Sequence, residues 1–70
     1  MTNKQAMAAG YNATKGRPIG STRPPWGIIT NINHPSGKSG EKVGGYFHSR
    51  REALEEIEHR VELDATNYAT

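Results

Sequence analysis

The side chains with most chemistry to offer in this 70-residue chain are its cations, and they are unevenly placed. Residues 1–50 hold seven Lys and Arg against the single acid Glu41, a net charge of +6. Residues 51–70 hold Arg51 and Arg60 against six acids, a net of −4, so the overall +2 conceals two opposed parts. A basic arm or face that meets an anion, with an acidic helix on its far side, is what such a split suggests. Residues 1–25 contain no acid at all.

Other chemistries find less support. Gly37-Lys38-Ser39 ends like a phosphate-binding P-loop, but Ile32 stands where that motif needs its first Gly. His34, His48 and His59 lack ligand-like spacing, and Asn12-Ala13-Thr14 matters as a glycosylation sequon only under secretion. There is no nucleophile beside a base, and the carboxylates belong to one solvated helix face. The expectation is a non-enzyme with no cofactor and no metal. With no Cys there is no disulfide framework, and no apolar run reaches the ~18 residues of a membrane span. A cytoplasmic setting is expected, the host cytoplasm if the chain is phage-encoded.

Leu, Ile, Val and Phe number only 10 of 70, and nine of them lie between Ile28 and Leu63. The folded unit is therefore expected at residues 26–68, behind a flexible basic arm at 1–25. Alternation and β-branching predict a strand over 27–33, and residues 34–41 form a Pro-, Gly- and Ser-rich loop. A second strand follows at 42–48, with Val43, Gly45 and Phe47 on one face and Lys42, Gly44, Tyr46 and His48 on the other. Gly44 and Gly45 suggest a bulge or a close backbone approach. Ser49-Arg50-Arg51-Glu52 reads as a capping box that opens a helix, with Leu54, Ile57 and Val61 as its apolar stripe and Glu56 placed to pair with Arg60. The expected core is Ile28 or Ile29, Ile32, Val43, Phe47, Leu54, Ile57 and Val61. The fold class is α+β: an antiparallel hairpin or three-stranded sheet packed on one C-terminal helix. A hairpin and one helix are marginal alone, which calls for a third strand from about 17–23 or a homodimer.

Two resemblances sharpen this. Lys15-Gly16-Arg17-Pro18-Ile19-Gly20-Ser21 resembles the AT-hook, whose Arg-Gly-Arg-Pro core lies extended in the narrow minor groove of A·T-rich DNA. Here Lys15 replaces the first Arg. Arg23-Pro24-Pro25-Trp26-Gly27, Ile32-Asn33-His34-Pro35 and the run from Lys42 to Ala53 resemble the Apetala-type (ethylene-response-factor or integrase arm-binding) DNA-binding domain over about 45 residues. Gly45-Tyr46-Phe47 falls on that family's Gly-Thr-Phe, and Glu52-Ala53 on its Glu-Ala. The resemblance implies three antiparallel strands backed by one helix, with the outer sheet face in the major groove. Ile28 and Ile29 replace the family's Arg and Trp contacts, and Gly44 replaces its third-strand Trp. The residues left to contact DNA are Lys15, Arg17, Arg23, Trp26, Lys38 and Lys42.

Two functions are compatible with these features. One is a small DNA-binding accessory protein, phage or mobile-element encoded, that uses the arm and the sheet face. The other is a small inhibitor or adaptor that binds a host protein through an exposed strand edge at 28–33 or the acidic face of Glu55, Glu58 and Glu62.

Overall fold

Helix α1 (Asn3–Ala9) is held at both ends by local chemistry. The Thr2 hydroxyl accepts from the Gln5 amide at 3.1 Å, and the Gln5 side chain accepts from the Thr2 amide at 2.8 Å. Gly10 ends the helix in the left-handed region, at φ 107°. A Cβ there would lie 2.5 Å from the His34 Cα, so glycine is required by space as well as by conformation. Seven residues do not sustain a helix in water. This one persists because Ala6 is fully buried where α1 meets strand β1 (Tyr11–Lys15) and helix α2 (Arg50–Tyr68).

The computed structural model describes residues 1–16 and 22–68. Three antiparallel strands run in the order β1, β2 (Trp26–Thr30), β3 (Lys42–Phe47), with β2 central. The first pairing sets Tyr11 opposite Thr30 and Lys15 opposite Trp26. The inner face carries Tyr11 and Ala13, Trp26 and Ile28, Val43 and Phe47, and it packs on Ala53, Ile57, Leu54 and Val61 of α2. The α+β architecture, a three-stranded antiparallel sheet packed on a C-terminal helix, is as expected from the sequence.

The N-terminal part departs from expectation. Residues 3–15, assigned to a flexible arm, contribute a helix, an edge strand and two fully or almost fully buried side chains, Ala6 and Tyr11. The third strand is β1, upstream of the expected 17–23; of that range, 17–21 lie outside the described residues. The strand expected at 27–33 is the sheet's centre, paired on both sides, so it offers no open edge.

That strand also ends early, at Thr30. The Asn31 Oδ1 accepts from the Asn33 amide at 2.9 Å and its Nδ2 donates to the Met7 carbonyl at 3.0 Å, a side-chain turn that bends the chain away. Ile32 consequently points into solvent, 85% exposed, and leaves the expected core. Of the two candidates Ile28 and Ile29, Ile28 is the fully buried one.

The Gly44-Gly45 pair forms a bulge. Trp26 pairs with Phe47 and Ile28 with Val43, so four residues of β3 span two of β2. Gly44 takes φ 73°, and a side chain there would point at Arg60 and Glu56 of α2 rather than to the Lys42 side of the sheet. The start of α2 is capped as expected in kind. The Ser49 hydroxyl accepts from the Glu52 amide at 3.2 Å, while the Glu52 carboxylate reaches one residue further back, to the His48 amide at 2.8 Å. Glu56 and Arg60 pair at 3.0 Å. Leu63, beyond the stripe of Leu54, Ile57 and Val61, is exposed. No helix among the described residues is long and apolar enough to cross a membrane.

Candidate nucleic-acid interface

Both helices lie on one side of the sheet, and strand alternation leaves the other side to Asn12, Thr14, Gly27, Ile29, Lys42 and Tyr46. None of these six is acidic. Register aligns Asn12, Ile29 and Lys42 across the three strands, and sets Thr14 beside Gly27. A depression of about 210 Å³ lies here, lined by Thr14, Gly16, Gly27, Ile28, Ile29, Lys42 and Tyr46. Glycine at position 27 keeps it open: a Cβ there would meet only the Thr14 hydroxyl, at 4.0 Å.

Two cations converge at its rim. The Arg23 Nη1 donates to the Tyr46 hydroxyl at 2.9 Å, and its guanidinium carbon lies 5.1 Å from the ring centre. The Lys42 ammonium donates to the same oxygen and lies 3.6 Å from the ring centre. Like charges are held together here because the phenol offers both of them lone pairs and π density. The hydrogen bond from Lys42, then that from Arg23, favours the phenolate and lowers the Tyr46 pKa below its ordinary 10.0.

The other expected contact residues are distributed elsewhere. Trp26 alternates with the buried Ile28, so it faces the helix side of the sheet, where the Arg50 guanidinium lies 5.0 Å from its ring centre. Lys15 is exposed at the end of β1 opposite Trp26 in the register. Lys15, Trp26 and Arg50 thus mark one end of the sheet, around the corner from the open face. Lys38 sits in the loop at the opposite end, 4.0 Å from Glu41. Arg17 lies outside the described residues, as does the rest of the AT-hook-like run from 17 to 21. The structure therefore joins Arg23 and Lys42. Sequence reasoning missed Tyr46, although strand alternation already put it on the Lys42 face, and it missed Arg50.

A second polar cluster is of another kind. The Tyr11 hydroxyl donates to the Asp64 carboxylate, and His34 Nε2 lies 3.0 Å from the same hydroxyl and 3.7 Å from Asp64 Oδ2. The two rings meet edge to face at 4.9 Å, and the Ser36 amide donates to His34 Nδ1 at 3.1 Å. These contacts fasten β1, the loop after β2 and the second half of α2 to one another.

No family model matches the chain, and no curated protein or solved structure matches it either.

Proposed function

We propose that this protein is a non-enzymatic DNA-binding protein that lays its open sheet face and basic sheet end along the phosphate backbone. The observation that carries this reading is the convergence of Arg23 and Lys42 on Tyr46, on a sheet face that neither α1 nor α2 covers. Lys15 and Arg50 add charge at the adjoining end, and Glu55, Glu58 and Glu62 are exposed on α2. That polarity orients the molecule on a polyanion: acidic helix out, basic sheet in. The strand and helix layout that the Apetala-type resemblance implies is compatible with this placement.

Fluorescence anisotropy with labelled A·T-rich and G·C-rich duplexes at two salt concentrations tests the reading. About four neutralised phosphates would make the logarithm of the affinity fall with a slope near −3.6 against the logarithm of salt. Absence of binding to both duplexes at low salt defeats it. If Lys15-Gly16-Arg17-Pro18 acts as a hook, Arg17→Ala removes the preference for A·T-rich DNA and leaves G·C-rich binding in place.

A second reading has its own observation. Glu55, Glu58 and Glu62 are all exposed on α2, a row of carboxylates suited to a basic protein surface. A protein partner that is retained after nuclease treatment and lost in a Glu55/Glu58/Glu62→Gln variant would favour that reading over DNA.

A further inference from the structure

We propose, resting on the DNA-binding reading above, that the depression on the open sheet face seats one unpaired base of a single-stranded DNA segment.

A sheet that reads a duplex must push long side chains into a groove about 8.5 Å deep. The middle of this face does the opposite. Register sets Thr14 beside Gly27, and Tyr46, one residue before the Phe47 that pairs with Trp26, flanks Gly27 from β3. The row across the strands is thus a hydroxyl, a bare backbone and a ring, which makes a slot rather than a ridge. Half-buried Ile29 gives the slot an apolar wall, and Lys42 stands at its rim, hydrogen-bonded to Tyr46. Among the described residues that line it, none is acidic.

Such a recess matches a nucleobase, which is flat, apolar on its faces and polar on its edges. The Thr14 hydroxyl both donates and accepts, so it can meet the edge of any of the four bases. The Lys42 charge lies where the phosphate of the seated nucleotide must run. Size favours a base carried on a strand over a free small molecule. At about 210 Å³ the depression falls below the ~300 Å³ at which pockets begin to enclose a whole small ligand. One ring system enters, and the phosphates on either side of it supply the remaining attraction. In a duplex the same entry first requires a base pair to be broken.

Fluorescence anisotropy with the full chain at one low salt concentration compares three labelled probes: an oligothymidylate, an abasic strand with the same number of phosphates, and the duplex of the oligothymidylate with oligoadenylate. The oligothymidylate should bind about tenfold more tightly than the abasic strand. It should also bind more tightly than the duplex, although the duplex carries twice the phosphates. Equal affinity for the base-bearing and abasic strands, or a duplex bound more tightly than the oligothymidylate, overturns the seat and leaves DNA binding intact. Gly27→Val fills the slot without any change of charge. Valine suits a strand, and a Cβ at 27 meets only the Thr14 hydroxyl, at 4.0 Å, so circular dichroism should be unaltered. Oligothymidylate affinity should then fall about tenfold, to the abasic level, while the other two probes bind as before. Unchanged oligothymidylate affinity, or a loss shared equally by all three probes, overturns the seat. If the unsubstituted protein binds none of the three, the DNA-binding reading fails and the seat fails with it.

Discussion

Among the described residues two tyrosines each organise a polar cluster, and they behave in opposite ways. Tyr11 is buried, and its hydroxyl is enclosed by Asp64 and His34, which themselves are largely covered. Donors there meet an acceptor, and the cluster holds three segments of the chain together. Tyr46 is exposed, and its hydroxyl receives hydrogen bonds from two cations. Two positive charges are thereby gathered at one exposed phenol. The same side chain thus fastens buried segments in one place and gathers surface cations in the other.

The comparison can be attacked most strongly from the fastener's side. Gly10→Ala forces a Cβ to 2.5 Å from the His34 backbone at φ 107°, and should cost about 2 kcal/mol or more, read by chemical denaturation. Tyr11→Phe leaves the packing but strips Asp64 of its donor. A loss of about 1–3 kcal/mol is expected, with no change in DNA affinity measured under folding conditions. Tyr46→Phe should do the reverse: stability within about 0.5 kcal/mol of the unsubstituted protein, and a several-fold loss of affinity. Equal effects at the two tyrosines would erase the distinction.

The smallest effect concerns pH. Because Lys42 and Arg23 lower the Tyr46 pKa, its phenolate forms at a pH below the ordinary tyrosine value of 10.0. Rising pH then replaces an outward O–H donor with a negative charge between the two cations. DNA affinity should weaken as pH climbs through that lowered value, in step with a phenolate absorbance change that Tyr46→Phe removes.

What could be read in the sequence was what local chemistry decides. The capping residues Ser49 and Glu52 and the stripe at Ile57 and Val61 act within a few residues of one another, so α2 could be placed without knowing the rest of the fold. The bulge at Gly44 and Gly45 was readable for the same reason. The first fifteen residues were not. Residues 3–15 contain no large aliphatic apart from Met7, and their order comes from β1 pairing with β2 and from Ala6 and Tyr11 packing against α2. Ile32 failed for a related cause. Its alternation fits a strand, but Asn31 binds Met7 and Asn33 and ends the strand first. On the candidate interface, the charges at Arg23 and Lys42 were plain. That one phenol gathers them depends on a bend in β3 and on where Arg23 returns to the sheet, and spacing encodes neither.

The bond between Tyr11 and Asp64 joins residues 53 positions apart. Closing so large a ring carries a high entropic cost, so this contact belongs among the last to form as the chain folds, after β2, β3 and the start of α2 have assembled. Its contribution then falls on the native side of the transition state. Loosening it with Tyr11→Phe should leave the refolding rate almost unchanged and accelerate unfolding in stopped-flow denaturation, so that the Tyr11 fastener sets how long each molecule stays folded rather than how fast it gets there.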